Sequence, residues 1–186
     1  MPTEVTRKLF TVDDFYRMDE AGIFVPEERV ELIGGEILEM SPVNQPHFSC
    51  VNRTAERFFG AFHGRAMISV QNALPLNRFN VPQPDIAVLK PRSDFYASLR
   101  QGPLDAFFVV EVSDTTFRFD RNIKLPLYAE AGIPEVWIEN LKEGVLLVFR
   151  GPVGNDYKTK LILRRAQSVS PLAFPDVLFK IEDLLG

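Results

Sequence analysis

The stretch FFVVEVSDTTFRFDRNIKLPLYAEAGIPEVWI, residues 107–138, decides how this chain folds. Together with Ala106 its opening gives AFFVVEV, apolar on both faces of an extended chain, as a central strand covered on both sides requires. FDRNIKLPLYAEAG then reads as a helix, with Asp120 near its start and Gly132 at its end. Pro126 falls inside that helix and should kink it or delay its regular part. PEVWIEN returns as a second strand. One residue does not belong to this pattern. Glu111 interrupts the first apolar run, and a buried carboxylate needs a cation beside it. Two positions on stands Ser113, so the cation must come from elsewhere.

Outward from this core the signals are local. Thr11 opens TVDDFYRMDEAG, with Asp14 three residues on and Gly22 closing it, which predicts a short capped helix. RVELIGGEILEM is two strand-like runs joined by Gly34 and Gly35, a hairpin signal because glycine accepts positive φ. SPVNQP reads as loop. Phe48, Val51, Ala55, Phe58, Phe59 and Phe62 then recur at helical spacing up to Gly64, predicting a second helix that lays its phenylalanines on a sheet. AMISVQNALPL begins a run of strands, and DIAVL at 85–89 is another, introduced by the extended VPQP. Residues 91–105 are polar and irregular. VLLVFRG and YKTKLILR add strands, and FPDVLFKIEDLL closes the chain. Helix, strands, helix, strand points to one α/β domain with a mixed sheet over residues 1–186.

Bulk composition narrows the function. A chain of 186 residues suffices for one well-buried domain and hardly for two. Its single cysteine, Cys50, excludes an internal disulfide framework and fits a reducing cytoplasm. With two histidines and that one cysteine there is no ligand set for a structural zinc ion. No run approaches the roughly 18 apolar residues of a membrane span, and MPTEVTRKLF lacks the apolar core of a signal peptide. A formal charge of −4 argues against a broad nucleic-acid-binding face. A local basic rim around an acidic site would still admit DNA.

Two carboxylates stand out by position. Asp85 opens a short apolar strand and Glu111 lies in a buried one, so neighbouring strands would bring them to one edge of the sheet. Two such acids, with waters and substrate phosphates, suit Mg²⁺. Equally, Asp85 could cap its strand while Glu111 pairs with a lysine or arginine. Asp120, Lys124 and Tyr128 are spaced i, i+4, i+8, so a helix puts them on one face and could return Lys124 to the carboxylates. The plainer reading is an Asp120–Lys124 pair on a solvated face.

RVELIGGEILEMSP, PDIAVL, VVEVSDTT and DRNIKLPLYAEAGIPEVWI, in that order, resemble the bacterial family of unknown-function domains known as "putative restriction endonucleases", within the PD-(D/E)xK nuclease superfamily. The resemblance spans residues 10–182. It implies a restriction-endonuclease-like core with an N-terminal helix, a β-hairpin and a C-terminal strand extension. It implies Asp85 and Glu111 as ligands of Mg²⁺, with Mn²⁺ able to substitute. The superfamily often carries lysine two residues after the second acid, where this chain has Ser113. In this family the lysine is displaced to the next helix, which Lys124 matches. Glu31 matches an acid of the N-terminal segment, an accessory ligand or a group that binds water. His47 matches a histidine at the start of the second helix. It would either contact phosphate or serve as a polar group at the helix start, the second being preferred. Tyr128 and Trp137 read as core or pocket wall. Gly34 stands where aspartate is frequent, and EVSDTT is shorter than the usual EVLSPST.

These readings predict an Mg²⁺-dependent endonuclease that hydrolyses DNA phosphodiester bonds with a metal-activated water. The alternative is a catalytically inactive nuclease-fold module that binds DNA or a protein partner. A phosphate-processing enzyme acting on nucleotides is a weaker third, since nothing Gly-rich of P-loop type supports it. Cutting two strands needs two sites, so a homodimer is expected, with VLLVFRG and KTKLILR as its strand-rich interface.

Overall fold

A computed structural model describes residues 6–25 and 28–186. The chain opens with helix α1 (Val12–Glu20), capped as its sequence predicts: Thr11 and Asp14 exchange a reciprocal pair of hydrogen bonds. The hairpin β1 (Val30–Ile33) and β2 (Glu36–Glu39) turns at Gly34 and Gly35, both at positive φ. Gly35 is required for a second reason: a Cβ there would lie 2.8 Å from that of Leu9.

Helix α2 (Gln45–Ala61) follows, then β3 (Met67–Val70), β4 (Ile86–Leu89) and β5 (Ala106–Ser113). Two short helices, α3 (Phe117–Phe119) and α4 (Leu125–Glu130), flank a wide π-helical turn at Asp120–Lys124. Strands β6 (Glu135–Asn140), β7 (Val145–Val153) and β8 (Asp156–Arg164) complete one mixed six-stranded sheet, ordered β3-β4-β5-β6-β7-β8. Its one parallel pair is β5 and β6, joined by the α3–α4 crossover. Two-residue strands β9 (Ser168–Val169) and β10 (Phe179–Lys180) pair with each other, and helix α5 (Ile181–Leu185) ends the chain.

The sheet is covered on both faces, which is why its central strands read as unbroken apolar runs. Ile86, Val88, Phe108, Val110, Val112 and Trp137 face one core, with α2 and α5. Ala87, Leu89, Val109, Val136 and Ile138 face the other, with Leu125, Tyr128 and Ala129 of α4. Trp137 therefore belongs to the core alone. By the same alternation Glu111 and Ser113 point to the α4 side.

Several expectations need correction. Helix α2 stops at Ala61 rather than Gly64, and it begins inside the supposed loop, because Gln45 and Pro46 form its first turn. Only part of its phenylalanine stripe meets the sheet: Phe58 and Phe62 are buried, whereas Phe48 and Phe59 are 57% and 55% exposed. The C-terminal extension ends in a helix packed on α2 through Leu184, whose carbonyl accepts from Arg53 at 3.2 Å. Of the two strands expected at a dimer interface, β7 is paired on both edges and only β8 ends the sheet.

Helix α2 is also pinned to the sheet by a buried carboxylate. Glu139 of β6 accepts from Thr54 Oγ1 at 2.9 Å and from Cys50 Sγ at 2.8 Å. Burial pushes its carboxyl up to about 7, with Asp85 adding to that push and the Cys50 and Thr54 hydrogen bonds opposing it. A carboxyl raised in the folded state stabilises the fold below its ordinary value of 4.5, and that contribution is lost as pH climbs to about 7. Unfolding measured in urea at pH 5 and pH 8 should therefore show wild-type stability falling across this interval and Glu139→Gln falling less. Equal slopes would mean that Glu139 does not carry the dependence.

Candidate functional site

Antiparallel pairing of β4 with β5 sets Ile86 against Val110 and so places Asp85 beside the Glu111 segment. Asp85 is held there by the peptide N–H of Val112, which donates to its Oδ2 at 2.9 Å. His47 Nε2 lies 3.1 Å from the same oxygen, and Gln71 Nε2 donates to Oδ1 at 3.1 Å. The expectation that His47 serves as a helix-start polar group is overturned. Asn44 performs that role, accepting from the His47 N–H at 3.1 Å, and the imidazole is free to reach Asp85.

Lys124 faces Glu111. Its Nζ lies 2.7 Å from Glu111 Oε1, 3.1 Å from Glu31 Oε1 and 3.4 Å from the carbonyl of Gln83, so its three N–H groups meet three oxygens. The pairing of Lys124 with Asp120 on a solvated face is thus excluded. Both residues are buried, and Asp120 accepts instead from Ser113 Oγ at 2.7 Å and Thr116 Oγ1 at 2.6 Å. The wide turn explains how one helical segment aims both inward. Pro126 has no N–H to give to the carbonyl four residues back, and the chain answers with a π-type bond from Leu125 N–H to the Asp120 carbonyl.

Glu31 comes from β1 and is 1% exposed. Its Oε1 also accepts from the Gln83 N–H at 2.7 Å, while its Oε2 has no partner among the described residues. Tyr128, expected as wall, is both wall and donor: its hydroxyl bonds Glu111 Oε1 at 2.5 Å. Two glutamines were missed from sequence. Gln83 joins Glu31, Lys124 and Arg29, the last donating to its Oε1 at 3.3 Å. Its one sequence signal was its place two residues before Asp85. Gln71 had no signal beyond ending a strand.

The electrostatics follow from unequal charge. Glu31, Asp85, Glu111 and Asp120 gather around one lysine and one histidine. Burial pushes the Glu111 carboxyl well above the usual range; Lys124 pulls it down, and Asp120, Asp85 and Glu31 push it up further. Burial alone would lower Lys124, but Glu111, Glu31 and Asp120 outweigh it and hold the ammonium charged. Burial acts to raise Asp85, yet the His47 contact and the Val112 and Gln71 hydrogen bonds prevail and lower it. His47 is pushed down by burial and up, by more, by Asp85.

Asp85, Glu111, Asp120, Lys124 and His47 line a cavity of about 50 Å³, together with Arg29, Gln83 and the loops at 41–44 and 114–116. Asn44 Nδ2 donates to Asp114 Oδ2 at 2.6 Å, bridging two of the loops that line it. A hard divalent ion fits this donor set. The lining oxygens of Asp85, Glu111 and Asp120 are carboxylates, negative charge is in excess, and Glu31, which holds Lys124, has a buried carboxylate oxygen with no partner among the described residues. Among the described residues no cluster of three or more His, Cys, Asp or Glu side chains is arranged as a metal cage. Mg²⁺ needs none, since it is held by one or two carboxylates and completes its shell with water and substrate oxygens.

Comparison with known proteins gives the fold and the family. No curated protein matches the chain. Among solved structures it is similar to a protein from Anabaena variabilis described as a putative nuclease belonging to DUF820, at a TM-score of 0.74 and 15% identity, covering 95% of this chain and 97% of that one. At that identity the likeness concerns the fold. The sequence signature of the Uma2 family, described as "Putative restriction endonuclease", matches residues 12–182. The chain belongs to the Uma2 family, the restriction-endonuclease-like group its motifs resemble.

Proposed function

We propose that this protein is an Mg²⁺-dependent endonuclease that hydrolyses phosphodiester bonds in DNA, with Mn²⁺ able to replace Mg²⁺. The observation that carries the reading is the pocket in which Asp85 and Glu111, from adjacent strands, meet the buried ammonium of Lys124. Asp85 and Glu111 would hold the ion. When bound, it would supply an activated water and neutralise charge at the scissile phosphate.

The chain's own residues supply the rest. Lys124 sits where it can offset negative charge on a phosphate or orient the attacking water. Glu31 keeps that lysine in place. His47 lines the cavity and would help orient Asp85 through its 3.1 Å contact, while its buried Nδ1 has no partner among the described residues. Arg29 lines the cavity, and Arg118 and Arg121 are exposed on the segment whose inner face carries Asp120 and Lys124. Together these arginines would supply the local basic rim that an acidic protein needs to approach a DNA backbone. A dimer, which double-strand cutting calls for, would use the free edge of β8 rather than β7.

A second reading has one observation in its favour. Lys124 already neutralises Glu111 at 2.7 Å, as it would in an inactive module. Plasmid nicking separates the two. Wild-type protein should relax supercoiled DNA with Mg²⁺ or Mn²⁺ and not with EDTA. Asp85→Asn should lower the rate more than ~100-fold, since loss of an outer-shell partner alone costs about 10–100-fold. Nicking equal to wild type by the variant would refute the assignment.

Removing the lysine tests the ion cluster independently of activity. Lys124→Met leaves Glu31 and Glu111 buried without their cation and should cost about 3–5 kcal/mol of unfolding free energy in urea. A cost under about 1 kcal/mol would mean the acids are otherwise satisfied.

A further inference from the structure

We infer that Gln71 is a positioning residue, one that sets the Asp85 carboxylate in the single orientation a divalent ion can use; this rests on the reading of Asp85 as a ligand. Gln71 follows β3 and has φ +51°, the left-handed region that a side-chain-bearing residue enters at a cost. Strain of this kind persists only where the surroundings over-determine it. Here all three of its hydrogen-bonding arms lead to the site. Its N–H donates to the Asp85 carbonyl at 2.9 Å, and its carbonyl accepts from Gln83 Nε2 at 2.7 Å. Its side-chain amide donates to Asp85 Oδ1 at 3.1 Å.

The consequence is a count of lone pairs. A carboxylate oxygen accepts in two directions. On Oδ2 both are taken, by the Val112 N–H and by His47 Nε2. On Oδ1 one is taken by Gln71, which leaves one acceptor direction on Asp85. Without the Gln71 amide the carboxylate keeps its Val112 and His47 contacts on Oδ2 but loses the one on Oδ1, and the remaining lone pair there is less closely aimed. The left-handed backbone is the conformation in which all three Gln71 contacts are made at once.

Three variants separate this role from simple support of the fold. Gln71→Ala and Gln71→Gly both remove the amide, but only glycine accepts the left-handed backbone freely. By thermal unfolding without metal, Gln71→Gly should melt about 2–4 °C above Gln71→Ala. By calorimetric titration with Mn²⁺, both should bind about tenfold more weakly than wild type, and equally so, as expected for an outer-shell partner. Asp85→Asn serves as the reference for the underlying reading. If Asp85→Asn abolishes Mn²⁺ binding while both Gln71 variants bind as wild type, the positioning role is wrong and the metal site stands. If affinity falls only in the less stable Gln71→Ala, Gln71 merely supports the fold. If Asp85→Asn binds Mn²⁺ as wild type does, the ligand assignment itself fails and takes this inference with it.

Discussion

The interaction on which the structure depends is a lysine with 2% exposure held among acids. Lys124 joins three separate parts of the chain: the N-terminal hairpin through Glu31, the central strand through Glu111, and the segment leading into β4 through Gln83. Taking these charges out of water is expensive, and their mutual attraction offsets the expense only with close geometry and satisfied hydrogen bonds. Replacing such a cluster with apolar side chains commonly stabilises a protein. Its presence in the wall of a pocket, with more acid than base, is what supports the proposed chemistry over a purely stabilising role.

The remaining architecture serves to hold these groups still. Helix α2 touches both sides of the problem. Its first turn delivers His47 to Asp85, and further along Thr54 and Cys50 clasp Glu139. The wide turn at Asp120–Lys124 lets a short crossover carry two inward-facing charged side chains, with Ser113 and Thr116 satisfying the acidic one. Ser113, which stands where the family resemblance led one to look for a lysine, is thus not an empty position. It anchors the segment that brings the lysine in from the helix.

Much of this was legible in the sequence because it follows from local rules. Alternation and apolar runs marked the strands, the Thr11 capping box marked α1, and paired glycines marked the hairpin. Asp85, Glu111 and Lys124 stood out by position on elements whose type was clear, but spacing alone left ordinary caps and ion pairs open, and the family resemblance favoured a shared site. What escaped depends on long-range pairing. Glu135 is as buried as Glu111, yet it is fully engaged with Trp137 Nε1, Arg150 Nε and the Leu172 N–H. No feature of PEVWIEN separates a structural glutamate from a functional one. Likewise the direction of His47 follows from Asn44 taking over the cap, and the importance of Gln71 follows from a backbone conformation that its neighbours impose. Phe48 and Phe59 share the spacing of buried phenylalanines but lie on the outer side of α2, because only a narrow stripe of that helix meets the sheet.

The central claim is that Asp85 and Glu111 are two arms of one cation site with Lys124 beside it. A crystal structure of the wild-type protein soaked in Mn²⁺, read by anomalous scattering, addresses it directly. The account predicts one strong anomalous peak bonded to carboxylate oxygens of both Asp85 and Glu111, with Lys124 Nζ still within hydrogen-bond reach of Glu31. A pocket with no peak at saturating Mn²⁺ and the Lys124–Glu111 contact unchanged would contradict it.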